Sequence, residues 1–406
     1  MLHRYLILAD DFTGANDSGL QLRRKGLSTL VQIGHQVGPA KRSDALVLDT
    51  ESRNTDEEAA AALVRSTLQG IEEQDFSVIV KKVDSTLRGN ICSEVLEVAS
   101  FFHADVIVVS PAFPDQGRTV KDGRLLVRGV PLVQTEHGKD PRKPVLEDNL
   151  VKLFTDGQKQ YAVNHLSSSA AFPQEGQKQL FVCDAETRED ILRIAAWALS
   201  LQDKRVLFVG SAGIVDAIVS SKIPSRGVVA LVASLSNVTR QQVRYAMGQN
   251  METVVVPVES LLDSHDLTRF GEQVSAAIQD QKPVLVVVSS VVDEQAYDQS
   301  QTIGKRLGLT PDAVAATIRD GFSRLGKTLL ESGDVAGVLL SGGDTAYGLL
   351  DALDIREVEL LREVQVGIPL MQVVSGPYAS LKIITKAGAF GNQDAIAYGL
   401  RVLQER

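Results

Sequence analysis

Cysteine is nearly missing from this chain. Its 406 residues hold two, Cys92 and Cys183, and neither has a second Cys or a His at metal-ligand spacing. That excludes a disulfide framework and a structural zinc site, and leaves thiols buried in a reducing compartment. Long apolar runs are missing too. Stretches such as Val284–Val288 are strand-sized, short of the roughly 20 residues of a membrane span. The N-terminus shows no basic segment followed by a cleavable apolar one, so the expectation is a cytoplasmic protein with no membrane partner. Positive charge is in short supply: 42 Lys and Arg stand against 51 Asp and Glu, a net charge of -9. A general nucleic-acid binder would need a basic face. A small anionic substrate stays open, because a few cations can dominate a pocket. The first strand–helix turn lacks the G-x-G-x-x-G spacing, which removes the fingerprint of an NAD-dependent dehydrogenase. No internal repeat or low-complexity tract is present.

The length favours two domains over one core. Short apolar runs alternate with helical periods, the pattern of a parallel sheet wrapped by helices. In the first half the runs are Leu6–Ala9, Thr29–Ile33, Ala45–Leu48, Val78–Val80, Val106–Val109, Leu180–Cys183 and Val206–Val209. Amphipathic stretches at 17–25, 56–69, 90–102, 188–199 and 214–220 separate them. Residues 111–179 break the rhythm with many Pro and Gly and read as a functional or mobile segment. Ile223–Gly227 is the best linker. Beyond it come strands at Val228–Ala233, Thr253–Val256, Val284–Val288, Val338–Leu340 and Leu381–Thr385. Helices are expected at 239–247, 267–278, 313–331 and 394–403. The expected architecture is two α/β domains, 1–226 and 227–406, each a mainly parallel sheet flanked by helices, with the active site in the cleft between them.

Ligands of open α/β sheets bind beyond the carboxyl ends of the strands, and those ends concentrate the polar residues here. Asp10 and Asp11 follow the first strand, with Thr13 or Asn16 available to cap the next helix and Gly14 to turn the backbone. Arg53 follows the third, and Lys82-Val83-Asp84-Ser85-Thr86 with Arg88 closes the fourth. Cations for a carboxylate and acids for hydroxyls are the equipment for a small polyhydroxylated acid; surface ion pairing is the bland alternative. His137 reads as a solvated loop residue. In the second half, Ser341-Gly342-Gly343-Asp344-Thr345 and the Gly388–Gly391 turn each link a strand to a helix. Backbone N–H groups at such turns favour phosphate, though tight turns use the same residues. Gly321–Thr328 matches the P-loop pattern letter by letter. It lies inside a helical period rather than after a strand, so Lys327 reads as a solvated helix residue.

Read in order, Ala9–Ala15, Lys82–Gly89, Pro111–Pro114, Thr135, Asp140-Pro141, Ser341–Ala346 and Lys386–Gly391 resemble the four-carbon acid sugar kinase family, across almost the whole chain. The resemblance implies an N-terminal domain that binds the acid sugar and a C-terminal domain that binds ATP. It implies transfer of the γ-phosphoryl of Mg-ATP to the C4 hydroxyl of a tetronate. Asp11, Arg53 and the turn Lys82, Val83, Asp84 and Ser85 would contact the substrate. Ser234, Gly342, Gly343, Asp344, Thr345 and Gly388 would contact ATP. Asp11 and Asp344 would handle the hydroxyl proton, and Asp10 would position the turn. No protein-ligated metal is implied; Mg²⁺ would bridge phosphate oxygens. Family members differ in taking D-threonate, D-erythronate or 3-oxo-tetronate, and Ala15–Gly19 looks most like those that take D-threonate. A homodimer is compatible with all of this. A sugar-acid-binding protein without catalysis is the alternative.

Overall fold

The computed structural model describes residues 4–34, 43–140, 144–168, 178–223, 227–249, 251–262, 267–280, 282–333 and 335–405. Residues 224–226 of the expected linker, 141–143 and Ser169 lie outside them. The chain divides into two compact units, Met1–Ile223 and Pro224–Arg406, each with its own apolar core.

In the first unit the strands are β1 (Tyr5–Ala9), β2 (Thr29–Gln32), β3 (Ala45–Asp49), β4 (Val78–Lys82), β5 (Val106–Ser110), β6 (Arg118–Lys121), β7 (Arg124–Val127), β8 (Val130–Pro131), β9 (Ala162–Leu166), β10 (Gln179–Cys183) and β11 (Val206–Gly210). The helices are α1 (Phe12–Arg24), α2 (Glu57–Leu68), α3 (Ile91–Phe101), α4 (Leu150–Gly157), α5 (Arg188–Ser200) and α6 (Ala212–Lys222). Among the described residues one parallel sheet runs in the order β2-β3-β1-β4-β11-β5-β10-β9. Its central strands are buried along their whole length, as helices on both faces require, so they read as unbroken apolar runs rather than alternating ones. α1 begins at Phe12 rather than near Asp17, because the Asp11 side chain, not Thr13 or Asn16, accepts the Gly14 N–H as the N-cap.

The segment 111–179 holds more order than its composition suggests. β6, β7 and β8 form a small antiparallel sheet, and α4 and β9 follow. Its hairpins turn at Asp122-Gly123 and Arg128-Gly129, all four residues at positive φ. That is the backbone of a type I′ turn, which matches strand twist. Strands this short have no legible period.

In the second unit the strands are β12 (Gly227–Val232), β13 (Glu252–Val256), β14 (Val284–Val288), β15 (Val335–Ser341), β16 (Val358–Gln365), β17 (Ile368–Val373) and β18 (Lys382–Lys386). The helices are α7 (Asn237–Met247), α8 (Val258–Leu262), α9 (Thr268–Gln279), α10 (Ser289–Val292), α11 (Glu294–Arg306), α12 (Pro311–Glu331), α13 (Gly343–Ala352) and α14 (Ala395–Gln404). The sheet order is β13-β14-β12-β15-β18-β17-β16. Five strands are parallel, and the β16–β17 hairpin adds an antiparallel edge. That hairpin is absent from the sequence reading. β16 is largely exposed, so its apolar residues do not form a core-strand run. The P-loop lookalike lies within α12, where Thr310 caps the start and Pro311 takes the first turn. Lys327 stands on the solvent side, 3.9 Å from Glu331. No described helix is long and apolar enough to cross a membrane.

Candidate functional site

The carboxyl ends of β1, β3 and β4, three adjacent strands, meet in a charged cluster in the first unit. Arg53 lies in the turn after β3. Its Nε and Nη2 reach the two oxygens of Asp10 at 2.8 and 2.9 Å, and Nη2 also reaches Asp11 Oδ1 at 2.7 Å. Asp84 Oδ1 is 3.6 Å from the same guanidinium. Asp84 in turn accepts a forked pair from Arg88, at 2.8 and 3.2 Å, and the Thr86 hydroxyl. The 84–89 turn is tight, with Leu87 and Gly89 at φ +56° and +108°. A Cβ on Gly89 would stand 3.1 Å from Asp10 Oδ2, so a larger residue there would crowd the clamp.

Lys82 ends β4 on the side of the sheet that carries α1. Its ammonium is buried and donates to the Val83 carbonyl at 2.9 Å. Among the described residues no carboxylate lies within ion-pair distance of it. Burial pulls the Lys82 pKa below the ordinary lysine value, with the charges of Asp10 and Asp84 opposing. Gly14 explains the close fit above it: a Cβ there would stand 2.7 Å from Asp11 Oδ1 and 2.8 Å from Lys82 Nζ. At Asp84, burial acts upward, but the Arg88 bond and the Arg53 charge outweigh it and hold the carboxyl well below the usual range. Asp49, at the end of β3, goes the other way. It is fully buried with Oδ2 unpartnered, and burial pushes its pKa up to about 6.

A cavity of about 250 Å³ opens beside this cluster, lined by Asp11, Thr13, Glu51, Arg53, Asn54 and Arg88 among others. It falls below the roughly 300–1,000 Å³ of drug-sized sites and suits a small polar molecule. Of the residues expected from sequence, Asp11 and Arg53 line it. Lys82 and Asp84 stand behind them. Val83 contributes its backbone, since its side chain belongs to the core, and Ser85 is partly buried in the turn. Glu51 and Asn54 also line the cavity, although no motif in the sequence marks them. Glu51 sits at φ +44°, a rare conformation for a residue with a side chain, and its carboxylate accepts the Phe12 N–H at 3.2 Å. Nothing in the sequence signals that strain.

Buried structure fixes these turns. Lys81 Nζ pairs with Glu94 Oε2 of α3 at 2.9 Å, both side chains almost fully buried. The Ser52 hydroxyl donates to the same carboxylate at 2.8 Å, and Ser52 and Thr50 share a hydrogen bond at 2.8 Å. Thr50 also donates to the Ala9 carbonyl at 2.9 Å. The turn that carries Arg53 is thereby tied to β1, β4 and α3.

In the second unit the ends of β12, β15 and β18, again adjacent, converge on Ser234. Gly342, the N-cap of α13, has φ +113°, and a Cβ there would meet Ser234 Cβ at 3.6 Å. A Cβ on Gly388 would meet Ser234 Oγ at 2.4 Å. Gly342 is required by its left-handed backbone, and a side chain at Gly388 would displace the Ser234 hydroxyl. α13 starts at Gly343, so the Gly343 and Asp344 N–H groups belong to its open first turn. Asp344 is exposed there and Thr345 buried. Among the described residues no group of three His, Cys, Asp or Glu side chains could hold a metal ion.

Both units have counterparts among known proteins. Residues 5–218 match the family described as a sugar-binding N-terminal domain, and 229–396 the family described as a nucleotide-binding C-terminal domain. The chain belongs to the four-carbon acid sugar kinase family. It is 29% identical to the D-threonate kinase of Salmonella typhimurium, over 99% of both chains. It is 30% identical to the D-threonate kinase of Bordetella bronchiseptica, over 98% of this chain and 97% of that one. It is also 30% identical to the D-erythronate kinase of Heliobacterium modesticaldum, over 96% and 94%. A crystal structure from Bordetella bronchiseptica, described as a domain of unknown function with bound citrate in a domain-swapped dimer, superposes with a TM-score of 0.59 at 27% identity, covering 99% of each chain.

Proposed function

We propose that this chain is an ATP-dependent kinase that phosphorylates the C4 hydroxyl of a four-carbon sugar acid, D-threonate ahead of D-erythronate and 3-oxo-tetronate. The carrying observation is the charged cavity of the first unit, where two arginines and a buried, acid-free lysine stand beside oriented carboxylates. The acid sugar belongs to residues 1–226 and the nucleotide to 227–406. The C4 oxygen attacks the γ-phosphorus of ATP, the bond to the β-phosphate bridging oxygen breaks, ADP leaves and the hydroxyl proton is released. Such transfers depend mainly on positioning and charge neutralisation.

Arg53 and Lys82 supply the positive charge that draws the substrate carboxylate. Arg53 already spends N–H donors on Asp10 and Asp11, so it serves as much to aim Asp11 as to bind. Asp11, held by Arg53 and by the Gly14 N–H, accepts from substrate hydroxyls. Asp84, Ser85 and the Val83 backbone form the floor. Ser234, Gly342, Gly343, Thr345 and Gly388 hold the phosphates through N–H and hydroxyl donors. Mg²⁺ bound with the nucleotide would supply positive charge against the phosphates. Asp344, exposed on the first turn of α13, is the carboxylate available to face that cation or to orient the C4 hydroxyl. A cytoplasmic homodimer completes the reading, on the example of the Bordetella structure.

A coupled ADP-release assay across the tetronates, with Mg-ATP saturating, tests the proposal. Turnover is expected, highest on D-threonate. No turnover on any tetronate would overturn it.

A further inference from the structure

The glycine turn after β18 is built around a buried lysine. Lys386 is 1% exposed. Its ammonium is within hydrogen-bond reach of the carbonyls of Ala387, Gly388 and Phe390, at 3.0, 3.2 and 3.4 Å, and of Thr239 Oγ1 at 3.2 Å. Gln242 of α7, also buried, donates Nε2 to the carbonyls of Phe390, Gly391 and Asn392 at 3.0, 3.1 and 2.9 Å. The hydroxyls of Ser236 and Thr239 donate to the Gly388 carbonyl at 2.5 and 3.0 Å. The carbonyls of this turn therefore point into the protein. A trans peptide plane directs its N–H opposite to its C=O. The N–H groups of Gly388, Ala389 and Gly391 consequently face outward, and among the described residues none of them donates to a protein acceptor.

We propose that Lys386 is a positioning residue for the nucleotide: by gathering the carbonyls of the 387–390 turn it presents the Gly388, Ala389 and Gly391 N–H groups as a cradle for an ATP phosphate, and its own charge attracts that phosphate from beneath. The proposal rests on the reading of this unit as the nucleotide site. Successive outward N–H groups make an anion-binding concavity, and here the layer that shapes it is itself cationic.

Burial lowers the Lys386 pKa to about 8. The charged groups on the elements around it are Asp344 and Asp351 of α13, Arg240 and Arg244 of α7, Asp394 ahead of α14 and Arg401 on it; none of the acids pairs with the ammonium, and Asp394 is held by Gln365 at 3.0 Å. Lys386 is thus charged below about pH 8 and neutral above. A bound phosphate favours the charged form, so nucleotide affinity falls as pH rises through that value and binding takes up protons near it.

Calorimetry with Mg-ATP on the full chain tests this, from about pH 7.5 to about pH 9.5. Wild-type affinity is expected to fall several-fold across the range, with proton uptake near pH 8 read from the buffer dependence of the heat. Lys386→Arg, charged throughout, keeps its affinity over the same range. Lys386→Met binds at least tenfold more weakly at the lower pH, while D-threonate binding is unchanged. A wild-type affinity flat with pH and without proton uptake overturns the role of Lys386. So does a folded Lys386→Met that binds as wild type. If either variant fails to fold, the wild-type series alone decides. Wild type that binds no Mg-ATP at any pH overturns instead the nucleotide reading of the unit.

Discussion

Arg53 grips Asp10 through two parallel N–H bonds of 2.8 and 2.9 Å, with the Asp10 side chain 3% exposed. Arg53 also lines the cavity of the first unit, as does Asp11, whereas Asp10 does not. These neighbours should therefore respond differently to the same substitution. In Asp11→Asn the cap on α1 survives, because Asn caps as well as Asp, and the loss falls on kcat/KM for the tetronate, about 100-fold or more. Asp10→Asn replaces the buried carboxylate of the clamp by an amide, with Asp11 and Asp84 still facing the guanidinium, and costs about 1–3 kcal/mol of stability. Kinetics and thermal melts on both variants check this; similar profiles for the two would contradict the division.

Gly14→Ala places a methyl between Asp11 and Lys82, at 2.7 and 2.8 Å from their polar atoms. Neither group can retreat, since Asp11 is clamped and Lys82 buried. The expected result is a raised KM for the tetronate and a lower Tm, with the KM for ATP unchanged. A variant with wild-type tetronate kinetics would show that α1 has room to shift.

Glu94→Gln strips the buried Lys81 of its charge partner. Breaking such a pair costs about 3–5 kcal/mol, whereas replacing both members by apolar residues is often neutral. Lys81→Met with Glu94→Leu should recover at least half of the loss in urea unfolding. A double variant as unstable as Glu94→Gln would mean that the bond from Ser52, rather than the charge, is what the site requires.

Asp49 gives stability a pH dependence of definite sign. Its carboxyl is raised to about 6 in the folded chain, above the unfolded value of about 3.9. The folded state therefore holds the proton more tightly. This contribution is full at pH values below the unfolded pKa and is lost as pH rises through about 6, a change of up to about 3 kcal/mol. Asp49→Asn should flatten that limb of the stability curve, as measured by denaturant unfolding at pH 5 and pH 8, an interval that carries about 1.4 kcal/mol of the change. An unchanged slope would assign the dependence to another group.

Lys327→Ala should leave the KM for ATP within about twofold, because Lys327 lies on the solvent face of α12 beside Glu331. A large rise would restore the P-loop reading of 321–328.

The alternation of buried strands and helices was legible because a parallel sheet covered on both faces leaves its strands uniformly apolar. The catalytic-looking residues were legible for a related reason: they stand where those runs stop. What stayed hidden has other physics. Of the hairpins of 118–131, the first carries a turn signature in Asp122-Gly123, but its strands are too short to show a period, and the second turns at Arg128, where positive φ has no signature in the residue type. β16 faces solvent, with Leu360 71% exposed, and carries no core pattern. Asp49 and Glu51 stand at and just past the end of β3, where no motif singles them out. Only burial marks out the first, and only backbone conformation the second. Arg53 reads from sequence as a substrate contact with ion pairing as the alternative, and its bonds to Asp10 and Asp11 are a matter of distance that spacing does not encode.

Lys81 and Lys82 are chemically identical and adjacent, yet one is locked to α3 through Glu94 and the other lies beneath α1 next to Gly14. The pleat of β4 alone makes the assignment, since successive side chains leave a strand on opposite faces. A slip of one residue would exchange the two lysines without altering composition or charge. The register of β4 is thus itself a specificity determinant: a single deletion upstream in the strand would keep both ammonium groups and lose the site.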